Sequence, residues 1–341
     1  MGRIRLSWLN TLAALGAVAL AMAAGATLSR EEPIARARHS DDRPRVRSAM
    51  AGEEVVDATL HVVPRRHYRR ILSGNMFVDR LLLELCELER IVGVTELSAR
   101  SRQMGFRLAG KARVRDIEDI EAILALRPDL VIMNRYGDPR QVARLREAGI
   151  EVMDLGEMRG LATLVPQVHA VAQVIGHPER GRDLADRFAW RMRRVAALVP
   201  EEARKKGMYV SVYGDRLYGG ALGTSYHDVL VHAGLVDVAA TTYRNWPEYS
   251  PEQLLSLDPE VLVTKPGMGS LLCRRPGLEK LTACTRERGV VEVDGDLLDD
   301  PGLAMLEATE EIYRALYDTP YNSTNPSAKY TWQSQASTPQ P

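Results

Sequence analysis

Residues 121–132 and 252–263 read alike. The first is Glu-Ala-Ile-Leu-Ala-Leu-Arg-Pro-Asp-Leu-Val-Ile and the second Glu-Gln-Leu-Leu-Ser-Leu-Asp-Pro-Glu-Val-Leu-Val. In each copy an amphipathic run is stopped by proline, which disfavours helix at the residue before it. A continuous apolar run follows, as expected of a strand covered on both faces. The repetition predicts two similar lobes and puts Glu121 and Glu252 at equivalent positions.

The surrounding pattern agrees. Short β-branched runs at 70–74, 91–95, 130–134 and 151–155 alternate with helical runs at 76–88, 117–126 and 139–148. This order implies a parallel sheet covered by helices. It resumes with strands at 209–213, 261–264 and 290–293 and helices at 226–233, 251–257 and 303–316. Between the two series lie helical runs 161–175 and 178–198, broken at Gly176-His177-Pro178. Proline suits a first helical turn. The fold class expected is α/β: two Rossmann-like lobes with parallel sheets, joined by a single long α-helix.

The ends read differently. Arg3 and Arg5 precede an apolar run from Leu6 to Leu28, and Ala24-Gly25-Ala26 suits a small-residue cleavage site. Residues 1–26 are therefore expected to be an export signal. The run is also long enough for an uncleaved anchor. No cysteine is present there for lipid attachment. Residues 27–66 read as a flexible linker, with a short strand at 59–63. The lobes are expected at 67–160 and 201–318, the inter-lobe segment at 161–200, and a disordered tail at 319–341.

Lysine plus arginine and aspartate plus glutamate both total 45. That balance argues against nucleic acid as a partner. The three cysteines include no paired CxxC motif. Cys273 and Cys284 can pair only if space permits, and Cys86 on an apolar face reads as a buried thiol.

In order and spacing, Arg70-Ile71-Leu72-Ser73, residues 90–95, residues 120–132, Gly219–Ser225 and Trp246–Glu252 resemble the periplasmic binding proteins for vitamin B12 and ferric siderophores. The resemblance covers roughly residues 66–318. It implies a binding protein of an ABC importer and not an enzyme, with no catalytic residue and no cofactor. It also implies that Glu121 and Glu252 dock to arginines of the permease, and that membrane contact comes only through that permease or an uncleaved anchor.

Ligands of open α/β sheets bind beyond the carboxyl ends of the strands. The candidates there are Ser73, Asn75, Glu96, Asn134, Arg135, Tyr136, Tyr213 and Lys265, with Arg115, Tyr218, Arg244 and Trp246 in nearby loops. Tyrosine and tryptophan offer flat, partly polar surface, and arginine a fork for anions. Such a set suits a bulky anionic metal chelate. Two departures from the family, Ser98–Arg102 and Val114-Arg115-Asp116, tilt the expectation from cobalamin toward a ferric siderophore, with haem a further option. An exported enzyme, a chelate-processing protein or a sensor on the same scaffold is the alternative. The seven histidines suggest no site for a directly bound metal.

Overall fold

The computed structural model describes residues 45–49, 52–115, 119–134 and 140–317. The expected signal, the first part of the linker and the tail lie outside the described residues. Everything described belongs to one compact unit beginning at Arg43.

The expected linker contains structure. Strands β1 (Arg45–Ala49), β2 (Gly52–Val56) and β3 (Val62–Val63) form an antiparallel sheet in that order. Val55, Val56 and Val63 are buried. Its charged composition hid it, with Arg45, Arg47, Glu53 and Glu54 in its two longer strands. Asp57 fastens it to the first lobe: its carboxylate accepts from Asp154 N (3.1 Å) and from Arg146 Nη2 (2.5 Å). His61, read as preceding the folded part, pairs with Glu151 at 2.7 Å.

The first lobe contains β4 (Ile71–Ser73), α1 (Met76–Leu85), β5 (Ile91–Thr95), α2 (Glu96–Arg100), β6 (Ala112–Val114), α3 (Ile120–Ala125), β7 (Leu130–Met133), α4 (Arg140–Glu147) and β8 (Val152–Asp154). Its sheet is wholly parallel, in the order β6-β5-β4-β7-β8. Helices α5 (Leu161–Val174) and α6 (Pro178–Ala196) follow.

The second lobe contains β9 (Lys205–Tyr213), β10 (Arg216–Gly220), α7 (Ser225–His232), β11 (Leu235–Asp237), β12 (Glu248–Tyr249), α8 (Pro251–Leu257), β13 (Val261–Thr264), α9 (Met268–Cys273), α10 (Thr282–Thr285), β14 (Val290–Glu292), α11 (Gly295–Leu298) and α12 (Ala304–Leu316). Strands β11, β9, β13 and β14 are parallel. At one edge of this parallel sheet β10 and β12 add antiparallel pairs. Gly219 and Gly220 lie within β10 because rings occupy the space their side chains would need: Tyr249 at Gly219 and Tyr226 at Gly220.

Period-two alternation divides the core. Ile71, Leu130, Ile132, Val261 and Val263 face one core shared with Leu81, Val171, Phe188, Leu230 and Ile312 of the helices. Their neighbours Leu72, Val131 and Met133 face a separate cluster with Ile123 of α3 and Leu145 of α4. Leu262, Met208 and Val210 face another with Leu254 of α8 and Leu272 of α9. The lobes therefore share a middle layer of helices, and each has an outer layer of its own. Arg80 of α1 crosses between them, donating through Nε to the fully buried Asp300 at 3.1 Å and through Nη1 to Glu307 at 3.3 Å.

Cys273 and Cys284 are disulfide-bonded, with Cα atoms 5.5 Å apart. Cys86 is a buried free thiol, as its helix face suggested.

Candidate functional site

In the first lobe the ends of β4 and β7 meet through Asn75 and Asn134, Nδ2 to Oδ1 at 2.6 Å. Asn75 also caps α1, its Oδ1 accepting from Val78 N. Ser73 is fully buried and its hydroxyl donates to Asn75 O, so it holds the turn. Glu96, at the end of β5, is paired with Arg100 and with Arg115 Nε at 3.3 Å. Arg135 and Tyr136 lie outside the described residues.

Beneath this rim sits Asp79 of α1. Its Oδ2 accepts from Thr95 N at 3.1 Å and Thr95 Oγ1 at 2.6 Å, while Oδ1 is buried without a hydrogen-bond partner. Burial pushes this carboxyl up to about 6, against hydrogen bonds that pull it down.

In the second lobe the ring of Tyr209 stacks on Tyr226, centroids 3.9 Å apart and planes 8° from parallel. Tyr226 Oη donates to Asp299 Oδ1 at 2.9 Å, and Lys265 Nζ to Asp299 Oδ2 at 2.5 Å. Burial works against the Lys265 charge, but Asp299 and Tyr209 outweigh it and leave the ammonium above its usual range. Lys265 is thus engaged by its own chain. Burial, with Tyr209 and Asp299 beside it, pushes the Tyr226 hydroxyl up as well.

Tyr213 is not brought to this group. Strand β9 continues past its pairing with β13 into the β10 hairpin, so Tyr213 stands at the tip, 79% exposed. Arg275, from the disulfide-closed loop, clamps that tip through Gly214 O and Asp215 O. Tyr218 lies on β10, half-buried, and accepts from Arg216 Nη1 at 3.3 Å. Arg244 is exposed beside Leu222 in an isolated bridge.

Two joints cross between the lobes at their strand ends. Arg102 Nη2 meets Asp294 Oδ2 at 3.1 Å. Arg159, just after β8, meets the segment carrying Trp246: its Nη1 donates to Asn245 Oδ1 at 2.6 Å and its guanidinium carbon lies 5.5 Å from the indole centroid. Trp246 is 41% exposed. Arg159, Tyr209, Tyr226 and Asp299 were missed by the sequence reading. The strand-end rule, extended to the edge strand β8, reaches Arg159.

The docking candidates occupy matched places. Glu121 and Glu252 are exposed residues in the first turns of α3 and α8, the outer-layer helices. Each helix leads into the strand beside the central one, β7 beside β4 and β13 beside β9. Acidic side chains suit this end of a helix. Ser250 Oγ donates to Glu252 Oε2 at 2.7 Å and holds that carboxyl below the usual range.

Two cavities lie apart from these residues. One of about 500 Å³ is lined by Gly269, Ser270, Cys273, Cys284, Val290 and Glu292. Another of about 230 Å³ runs along Arg65–His67 and the turn at 173–177. Among the described residues no group of three or more His, Cys, Asp or Glu is arranged to hold a metal ion.

A family model described as periplasmic binding protein matches residues 71–319. The chain belongs to that family. Its members are substrate-binding proteins, so the chain is not an enzyme. The chain is 31% identical over 203 residues to the vitamin B12-binding protein of Salmonella typhi, covering 58% of this chain and 73% of the relative. It is 24% identical over 212 residues to an uncharacterized ABC transporter substrate-binding lipoprotein of Bacillus subtilis, covering 58% of this chain and 65% of the relative. Among solved structures, the apo periplasmic heme-binding protein of Roseiflexus sp. RS-1 matches with a TM-score of 0.64 at 23% identity, covering 73% of this chain and 98% of that one. That likeness concerns the fold. The family match begins at residue 71, after the β1–β3 sheet.

Proposed function

We propose that this chain is the exported substrate-binding component of an ABC importer, and that it holds a bulky metal chelate between the strand ends of its two lobes. The observation that carries the reading is the meeting of Arg159, at the strand-end side of the first lobe, with Asn245 and the half-exposed Trp246 of the second. A flat, partly polar ring next to a cation suits a large conjugated ligand with polar edges.

The ligand class is a corrinoid or haem-type macrocycle. The vitamin B12-binding relative and the exposed indole support it. A ferric siderophore is the second reading, favoured by the exposed Arg115 and Arg102, each 88% exposed at the rim of the first lobe. The chelate is cargo, bound and released unchanged. The shared helical core keeps lobe movement modest, and Glu121 and Glu252 serve as the paired contacts for the permease. No helix among the described residues is long and apolar enough to cross a membrane, so membrane contact comes through the permease or through the N-terminal segment.

The test is a screen of the purified chain against cyanocobalamin, haemin and a ferric hydroxamate by tryptophan fluorescence and thermal unfolding. One ligand should saturate the quenching and raise the unfolding midpoint as its concentration exceeds Kd. Chemical conversion of the bound ligand, or no shift with any of the three, would overturn the reading.

A further inference from the structure

Arg159 is held at both ends. Its backbone N–H donates to Thr163 Oγ1 at 2.9 Å, tying it to the first turn of α5. Its guanidinium is divided between two partners, Nη1 on Asn245 Oδ1 and Nη2 on Glu157 Oε2, both at 2.6 Å. Asn245 is equally fixed. It has a left-handed φ of 59°, its N–H donates to Leu222 O and its carbonyl accepts from Ala221 N. The backbone thus sets the direction in which the next residue, Trp246, is offered.

One prong of the fork is occupied by a carboxylate that water can reach. The Glu157 side chain is 39% exposed and that of Arg159 28%. A guanidinium fork fits a carboxylate in two parallel hydrogen bonds. Glu157 therefore marks a carboxylate position beside an aromatic surface, and it can leave that position into solvent at little cost. A planar ligand stacked on Trp246 would bring its edge to this position.

We propose that Arg159 is a specificity residue that takes a carboxylate arm of the bound chelate in exchange for Glu157. The chain then selects planar macrocycles bearing carboxylates over the same ring without them. This rests on the binding reading above and narrows its ligand class.

The test titrates the full chain with iron protoporphyrin IX and with its dimethyl ester, which share a ring and differ only at the acid groups. Tryptophan quenching gives Kd for each. The native chain should favour the diacid by about 10-fold or more, the range expected for hydrogen bonds to a charged group. Arg159→Gln should remove that preference, weakening diacid binding about 10-fold more than ester binding. Glu157→Gln frees the guanidinium and should tighten diacid binding roughly 3-fold. A residue that merely supported the fold would move both ligands together, and Glu157→Gln would not act in the opposite direction. An unchanged diacid-to-ester ratio in both variants overturns this inference while the wider reading stands. Binding of cyanocobalamin but neither porphyrin does the same. Failure of every chelate to bind the native chain overturns both.

Discussion

Asp129 and Glu260 do the same work in opposite lobes. Asp129 accepts from the backbone N–H groups of Arg69 and Arg70 at 2.8 and 2.9 Å, where the chain enters β4. Glu260 accepts from Lys206 N at 2.9 Å, in β9. Both follow a proline, and both prolines follow a residue with positive φ, 44° at Arg127 and 34° at Asp258. The repeated segment is thus repeated down to the backbone conformation that ends its helix and the carboxylate that aligns its neighbouring strand.

Replacing either carboxylate by alanine should cost about 1–3 kcal/mol, because backbone donors lose a charged acceptor. The Lys206 backbone bond holds the Glu260 carboxyl below its usual range. A lowered value means its stabilisation is present above the ordinary range of 4.5 and is lost as pH falls through the folded value. Urea unfolding at neutral pH and near pH 3 checks this. The Glu260→Ala penalty should shrink at the lower pH, and an equal penalty would contradict it.

The alternation of strands and helices was legible because each lobe buries both faces of its sheet. Val261–Thr264 reads as one apolar run for that reason. The equivalence of Glu121 and Glu252 was legible from the repeat alone. What was hidden depends on contacts distant in sequence. Tyr218 was read as a loop residue, but it lies in a strand with Gly219 and Gly220, beside which the rings of Tyr249 and Tyr226 pack. Ser73 and Tyr213 satisfied the strand-end rule, but one is buried at its turn and the other is carried outward by a hairpin. Arg159 gains its meaning from Asn245 and Trp246, which no local pattern connects to it.

Arg80→Met should destabilise the chain by about 3–5 kcal/mol, since it removes the cationic partner of the buried Asp300, whose carboxyl burial already pushes up. Pairing it with Asp300→Asn should recover most of that loss. Urea denaturation of the single and double variants decides the matter, and equal losses in both would show that the ion pair is not what Asp300 needs.

Asp79 predicts a pH dependence of the opposite sign from Glu260. Its folded value of about 6 lies above the ordinary 3.8. Between those values the folded chain keeps a proton that the unfolded chain has released. Asp79 therefore costs stability above about pH 6, and the cost fades as pH falls through that value toward 3.8. Asp79→Asn should stabilise the protein at pH 8 by roughly 1–3 kcal/mol and give little at pH 4. Unfolding measured at both values tests it, and an identical difference at the two would contradict the assignment.

If the proposed docking holds, Glu121→Arg combined with Glu252→Arg should leave ligand affinity unchanged and reduce permease-dependent uptake by roughly 10-fold or more, because a docking carboxylate on each lobe becomes a cation. Affinity is read by fluorescence on the purified chain and uptake in cells or proteoliposomes. Uptake at the native level would remove these two residues from the docking role.

The central claim is that ligand lies between the strand ends of the two lobes. Hydrogen exchange with and without saturating chelate tests it most directly. Protection should rise at 74–76 and 95–97 in the first lobe, at 157–160 where the lobes join, and at 244–247 in the second, with little change in the middle layer of α5 and α6. Protection confined to one lobe, or centred on residues 65–67 and 173–177, would contradict the account.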